Sequence, residues 1–291
     1  MSKFEIITDS SCNLAESIID KLRIHILSLS YIVNDVSKPS YKEGEVFDYK
    51  FFYNQLRDKV KASTSQVTTQ MALDAVRPLL EVGQDVLYVG FSSGLSGTYE
   101  AVAVALEELK LEFPERTILY EDTLTAALGQ AHFVLEACRL RDEGKTIEEA
   151  HKFIADNKQK LTIWFTVDDL FHLKRGGRIS AGKAIIGSAL GVKPILKINE
   201  QGKLVPADKA KGRKKSLDYL VNKAVELALP KEGQTMYIVH GDCEIDANYV
   251  RDQIKEKIKV KDIMVNYLEP VIAVHAGPGV VGLIFTAASR G

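Results

Sequence analysis

The sequence predicts an α/β protein of two domains. Residues 1–160 form a Rossmann-like parallel sheet with helices on both faces, and residues 161–291 form a smaller α/β domain. Two observations carry this. In the first half, short apolar runs bounded by polar turns alternate with longer amphipathic segments, the pattern of a parallel sheet covered on both faces. In the second half, a hairpin with an Asn199-Glu200-Gln201-Gly202 turn interrupts that alternation, so antiparallel pairing enters there.

Taken in order, strands are expected at Phe4–Thr8, Ile24–Val33, Val86–Phe91 and Thr117–Tyr120, each rich in β-branched or aromatic residues. Helices are expected at Leu14–Leu22, Tyr49–Lys59, Met71–Glu81, Tyr99–Leu111 and Leu124–Arg141, followed by the charged helix Ile147–Asn157. Beyond Lys160, Leu161–Val167 reads as a strand. Asp168–Leu173 and Ala181–Leu190 read as helices around the turn Arg175-Gly176-Gly177-Arg178. The hairpin Lys193–Ile198 and Lys203–Lys209 comes next, then helix Ser216–Leu229, strand Met236–His240, helix Ala247–Lys257 and strands Ile263–Tyr267 and Val281–Thr286. Ligands of parallel sheets sit beyond the carboxyl ends of the strands. The polar turns Thr8-Asp9-Ser10-Ser11, Ser92-Ser93-Gly94 and Glu121-Asp122-Thr123 are therefore expected at one edge.

Composition excludes several classes. Lys+Arg 38 against Asp+Glu 39 gives a net charge of −1, which argues against a nucleic-acid binder. The three cysteines, Cys12, Cys138 and Cys243, share no short spacing, so neither a disulfide framework nor a zinc knuckle is indicated; Cys12 reads as an inert thiol. The six histidines show no metal spacing, and no metal or cofactor is expected. No signal peptide is apparent and no run reaches the length of a membrane span, so a cytoplasmic protein without integral membrane contact is expected.

The segment Phe91-Ser92-Ser93-Gly94-Leu95-Ser96-Gly97-Thr98-Tyr99 joins a buried strand to a helix. It places backbone N–H groups and hydroxyls at a helix N-terminus, where unpaired donors and the helix dipole favour an anion. Without Lys or Arg in the turn, a carboxylate fits better than a triphosphate. Lys61-Ala62-Ser63-Thr64-Ser65-Gln66-Val67-Thr68-Thr69 is a second hydroxyl-rich stretch, read as the approach to the helix that starts near Gln70. Two such termini side by side would grip one carboxylate through Thr64 and Ser96.

Gly90-Phe91-Ser92-Ser93-Gly94 also matches G-x-S-x-G, the nucleophile elbow of serine hydrolases. Ser92 would then be the nucleophile, with a later Asp and His240 or His275 as partners. No HGGG-like oxyanion loop appears, Leu95 and two glycines delay the helix, and neighbouring hydroxyls crowd Ser92. A hydrolase is the alternative to a binding protein, and no catalytic residue is assigned. Gly176-Gly177-Arg178-Ile179 is either a helix stop or an anion contact. The small-sided Ala181–Gly191 segment leaves room for a neighbouring backbone or a long slim ligand.

Together, Thr8-Asp9-Ser10, Thr64-Ser65-Gln66, Ser92–Tyr99, Gly176-Gly177-Arg178-Ile179 and His275-Ala276-Gly277-Pro278-Gly279 resemble the DegV family, in order and spacing, from near residue 3 to near residue 286. The resemblance implies a bacterial two-domain α/β protein that binds a long-chain fatty acid without catalysing a reaction. Members in Gram-positive bacteria serve as the acyl-carrying subunit of a fatty-acid kinase. It further implies that Thr64 and Ser96 hydrogen-bond the carboxylate and that Arg178 and His275 lie close to that head group. Lys209, Lys211 and Arg213 fall where the family carries a basic surface for the kinase partner. Two departures stand out: Val67 replaces the usual proline after Thr-Ser-Gln, and Glu121-Asp122-Thr123 replaces the usual Asp-Ser pair.

The residues agree with such a surface. Lys209, Lys211, Arg213, Lys214 and Lys215 crowd the start of a helix, where the dipole favours acids instead. The energetics of a fatty acid also fit: about 14 buried methylenes give on the order of 11 kcal/mol gross, before ordering and association costs. The chain supplies affinity and the hydroxyls supply orientation. Phosphorylation would fall to a separate protein, since no G-x-x-x-x-G-K-[ST] loop occurs here.

Overall fold

The apolar run 24–33 does not stay in one sheet, and that break organises the first half of the molecule. In the computed structural model, which describes residues 4–168, 170–179 and 191–290, strand β1 (Glu5–Asp9) leads through a 3₁₀ turn into helix α1 (Glu16–Leu22) and strand β2 (Ile24–Leu27). The chain then turns at Ser28 and Leu29. The Leu29 N–H donates to Ser10 Oγ (3.0 Å) and the Tyr41 N–H to Ser28 Oγ (3.1 Å). Strand β3 (Ser30–Val33) pairs instead with β4 (Val36–Pro39) and β5 (Ala62–Ser65) in an antiparallel sheet ordered β4-β3-β5. Asn34 and Asp35 both adopt positive φ (50° and 62°), as a two-residue hairpin turn requires.

Helix α2 (Tyr49–Arg57) separates β4 from β5, and helix α3 (Thr69–Glu81) follows β5. Strand β6 (Val86–Gly90), helix α4 (Thr98–Glu112), strand β7 (Ile118–Asp122) and helices α5 (Leu128–Asp142) and α6 (Ile147–Asn157) complete the half. The main sheet is parallel throughout, ordered β2-β1-β6-β7. The strand period of two divides its core. Ile6, Leu87 and Val89 pack with α5 and α6, while Ile7, Val86 and Tyr88 pack with α3 and α4.

The second half holds a six-stranded mixed sheet, ordered β10-β9-β8-β13-β11-β12. It comprises β8 (Leu161–Thr166), β9 (Val192–Ile198), β10 (Leu204–Lys211), β11 (Thr235–His240), β12 (Asp262–Tyr267) and β13 (Val281–Thr286). Helices α7 (Phe171–Arg175), α8 (Arg213–Leu227), α9 (Glu244–Lys257) and α10 (Pro270–Ala276) join them. Trp164, Ile195, Ile238 and Phe285 face α8 and α9. Ile163, Phe165, Leu196 and Ile284 face the other way and share a core with α5, which lies between the two large sheets. That position explains why α5 buries residues around most of its circumference, Gln130 and Arg141 included. The expected helix Ala181–Leu190 lies outside the described residues.

Polar contacts tie the halves together. The Arg290 guanidinium, 1% exposed, donates to four backbone carbonyls: Thr123 (3.1 Å), Leu124, Lys158 (2.6 Å) and Asn199 (3.1 Å). Burial lowers its pKa to about 10, so it stays charged at neutral pH. On the other side, Asp242 binds Lys50 Nζ (2.5 Å) and Arg57 (2.7 Å) of α2. Burial alone would raise the Asp242 carboxyl, but hydrogen bonds from Lys50 and Arg57 outweigh it and hold the group below its ordinary value. A depressed carboxyl contributes stability above its unfolded pKa of about 3.9 and loses it as pH falls through the folded value. Asp242→Asn is therefore expected to cost up to about 1 kcal/mol at pH 7, given the exposure of both cations. The cost should fade below about pH 4, which urea titrations at pH 7 and at about pH 3 would test.

Candidate functional site

The polar turns after β1, β6 and β7 do gather at one edge, and a buried carboxylate organises them. Asp9 accepts from the Phe91 N–H (3.1 Å), the Tyr88 hydroxyl (2.9 Å) and Gln130 Nε2 (3.1 Å). Burial raises its pKa against the pull of these donors. The Ser92 N–H donates to the Thr125 carbonyl (3.0 Å) and the Ser93 N–H to Asp122 Oδ2 (3.3 Å). The loop that follows β6 is thus fixed from beneath.

Ser96 stands just before α4, whose cap residue is Gly97, as the strand–turn–helix pattern requires. Its Oγ accepts from the Thr98 N–H (3.2 Å) and shares a hydrogen bond with Thr98 Oγ1 (3.0 Å). Thr64 differs from expectation. It is not at a helix N-terminus but inside β5, paired with Tyr31, and α3 begins only at Thr69 with Thr68 as its cap. Hydroxyl residues without alternation do not announce a strand, and the β-branched Thr64 is as suited to one as to a cap. The two hydroxyls nevertheless line one cavity. The Val67 N–H reaches Thr98 Oγ1 (3.4 Å) and links the segment after β5 to the Ser96 turn.

His275 occupies the last turn of α10, a helix the sequence reading did not list. Pro270 at the first helical position and Glu269 as the cap start that helix, and the Glu-Pro pair is the signal that would have found it. Glu269 accepts from the N–H groups of Val271 (2.9 Å) and Ile272 (2.7 Å), and burial raises it to about 8 despite them. His275 Nε2 lies 2.8 Å from Thr64 Oγ1. Burial, then the nearby Arg178 and Arg175 charges, lower its pKa to about 3, so the imidazole is neutral at pH 7.

The Gly176-Gly177 pair has two separate reasons. Gly177 adopts φ +69°, and a Cβ on Gly176 would lie 2.1 Å from His275 Nδ1. Together they deliver Arg178 to the cavity. Its Nε donates to the Leu95 carbonyl (3.1 Å) and its Nη1 to the Gly176 carbonyl (2.6 Å). Among the described residues no carboxylate pairs with it, and burial lowers its pKa. A half-buried cation without a counter-ion is costly unless an anion joins it.

The cavity that unites Thr64, Ser96, Arg178 and His275 measures about 130 Å³. Its remaining walls are largely apolar, including Leu29, Phe91, Leu95, Leu204 and Ile272, with Gln66 at its edge. Four predicted residues thus meet in one place; of the apolar walls, Phe91 and Leu95 belong to the marked segment after β6, whereas Leu29, Leu204 and Ile272 come from segments that no sequence motif marked. Among the described residues no group of three or more His, Cys, Asp and Glu is placed to hold a metal, and no helix is long and apolar enough to cross a membrane.

The hydrolase alternative finds no support. Ser92 is fully buried, its Oγ donates to the Gly202 carbonyl (2.9 Å) and accepts from the Gly94 N–H (3.2 Å). Neither histidine serves it: His275 pairs with Thr64, and His240 Nδ1 accepts from the Cys243 N–H (3.3 Å). Ser92 instead fastens the β9–β10 hairpin turn to the loop. A Cβ on Gly94 would lie 2.5 Å from the Gln201 carbonyl oxygen, so the backbones there are in direct contact.

The basic cluster is uneven. Lys209 and Lys211 are exposed on β10, whereas Arg213, the first residue of α8, pairs with Asp246 (2.8 Å). Lys214 pairs with Asp218 (3.2 Å). The first turn of α8 carries no acid.

The family model described as "Uncharacterised protein, DegV family" matches residues 3–288. A DegV domain-containing protein of Clostridium perfringens is 41% identical over 285 residues, covering 98% of each chain. Another from Lactococcus lactis is 31% identical over 96% of each. Among solved structures, a fatty-acid-binding DegV family protein from Thermus thermophilus superposes with a TM-score of 0.88 at 26% identity, over 98% of this chain and 99% of that one. DegV of Bacillus subtilis, a fatty acid binding protein, gives 0.83 at 27% identity over 99% and 100%.

Proposed function

Because the chain belongs to the DegV family, we propose that it binds a long-chain fatty acid, acts in the cytoplasm without catalysing a reaction, and presents the acyl chain to a separate fatty-acid kinase. The observation that carries this is Arg178, a half-buried cation without a carboxylate partner among the described residues, facing a largely apolar cavity beside two hydroxyls. A single carboxylate compensates that charge, and Thr64 and Ser96 orient it. The neutral His275 sets the Thr64 hydroxyl. Residues 1–160 supply the hydroxyls and residues 161–291 the arginine and histidine, so the head group lies where the two domains meet.

Purification without added lipid, followed by denaturation and mass spectrometry, should release a long-chain fatty acid at close to one per protein. A protein that yields none and takes up none in titration overturns the proposal. For the partner surface, Lys209 and Lys211 are the informative pair, because Arg213 is already committed to Asp246. Lys209→Glu/Lys211→Glu should lower acyl-phosphate production by the kinase at least tenfold while fatty-acid affinity stays within twofold. Equal turnover in a reconstituted assay would remove the assignment.

A further inference from the structure

The turn after β1 reaches the second half of the molecule through one residue. Asn13, buried and at φ 64°, lies just past the 3₁₀ turn Ser10–Cys12. Its side-chain amide binds the segment between β12 and α10 from both directions. Nδ2 donates to the Tyr267 carbonyl (2.8 Å), and Oδ1 accepts from the Glu269 N–H (2.6 Å). One amide thus stands in for a neighbouring strand, with a donor and an acceptor side by side. Leu268, between them, is held as well. Its N–H donates to the His240 carbonyl (2.8 Å), and its carbonyl accepts from the Tyr53 hydroxyl (2.8 Å). Asn13 and Tyr53 both belong to the first half, so this short segment of the second half is fastened across the junction.

Glu269 carries that anchor into α10. Its buried carboxyl takes the N–H groups of Val271 and Ile272 at the start of the helix. A Ser, Thr or Asp is the usual cap, and a buried Glu is a costly choice for helix stability alone. At seven residues α10 has little stability of its own. Yet it lines the head-group cavity with Val271, Ile272, His275 and Ala276. Neither Asn13 nor Glu269 lines that cavity. His275, in its last turn, meets Thr64 of the first half at 2.8 Å. A hydrogen bond weakens steeply with distance and angle, so the height of α10 against the first half decides whether this pair forms.

We propose that Asn13 and Glu269 are a pair of positioning residues for the head group: they join α10 to the first half and so set His275 against Thr64. Removal of either lets α10 shift, and the Thr64 hydroxyl loses the imidazole that directs it. This rests on the fatty-acid reading above, and the state of the His275 ring tests the joint without any ligand.

Palmitate titrations compare Asn13→Gly, Glu269→Ala and the double variant with the parent. Glycine at position 13 keeps the left-handed backbone and deletes only the amide. Each single variant should weaken palmitate at least tenfold. The double variant should be no more than threefold weaker again, because the two residues act through one joint. Thr146→Ala is the control: it removes the cap of α6, which lines no part of the cavity, and should leave palmitate affinity within twofold. ¹⁵N NMR of the ligand-free proteins follows the His275 ring, which burial and the Arg178 and Arg175 charges keep neutral in the parent. In both single variants it should take up a proton between about pH 7 and pH 5, as a solvated imidazole does. Palmitate affinity within twofold of the parent in either single variant overturns the pairing. So does a loss in Thr146→Ala equal to theirs, a double variant more than threefold weaker than the weaker single one, or a ring still neutral at pH 5 in either. If the parent itself takes up no palmitate, the fatty-acid reading has failed, and the ring titration alone decides the joint.

Discussion

Arg290→Met is expected to lower the unfolding free energy by about 3–5 kcal/mol, the largest effect of any single substitution argued here. Methionine fills much the same volume but leaves the carbonyls of Thr123, Leu124 and Lys158 without a donor, while that of Asn199 keeps the Gly202 N–H (3.0 Å). Each unsatisfied group costs roughly 1–3 kcal/mol, reduced where water enters. Arg290→Lys should recover only part of the loss, because one ammonium cannot span four acceptors held by a planar fork. Chemical denaturation of the three proteins measures this directly. A methionine variant within about 1 kcal/mol of the parent would show that the clamp is dispensable.

Thr64→Ala/Ser96→Ala should weaken fatty-acid binding roughly 30- to 700-fold. Hydrogen bonds to a charged acceptor contribute about 1.5–3 kcal/mol each; allowing for water that replaces the lost hydroxyls, about 2–4 kcal/mol is expected together. The melting temperature should change little, since neither residue is fully buried. Titration of delipidated protein with palmitate and with hexadecanol separates orientation from greasiness. The alcohol lacks the charge, so its affinity should fall much less. A double variant that retains wild-type palmitate affinity would place the carboxylate elsewhere.

Much of this was legible in the residues, and the exceptions have identifiable physical causes. The parallel strands and their helices are readable because fully apolar runs such as Val86–Gly90 alternate with amphipathic ones. Helix α6 carries an explicit capping box between Thr146 and Glu149. The run from Ile24 to Val33 reads as one strand because apolar residues continue across the sheet change. Only the Ser28 and Ser10 hydroxyls, which take over backbone pairing at the corner, mark the break. Strand β5 escaped notice because its residues are Ala, Ser, Thr and Ser, a composition that favours turns and caps when judged locally. Its strand character comes from pairing with β3, a long-range fact. Arg178 and His275 are separated by nearly a hundred residues, and only the close fit of Gly176 against the imidazole shows why one motif needs the other.

The Arg290 clamp also bears on the order in which the molecule is completed. Its acceptors belong to segments at residues 123–124, 158 and 199, and none has this partner until residue 290 has been synthesised. Lys158 precedes Arg290 by 132 residues. At roughly 5–20 residues per second, that interval is about 7–26 s of translation, far longer than a helix or a hairpin needs to form. The first domain therefore waits on the ribosome with three of these carbonyls still in water, held by its own sheet and helices. Strand β13, which joins β8 to β11 in the middle of the second sheet, is made just before Arg290, so the second sheet and its junction with the first half are completed together at the end of synthesis.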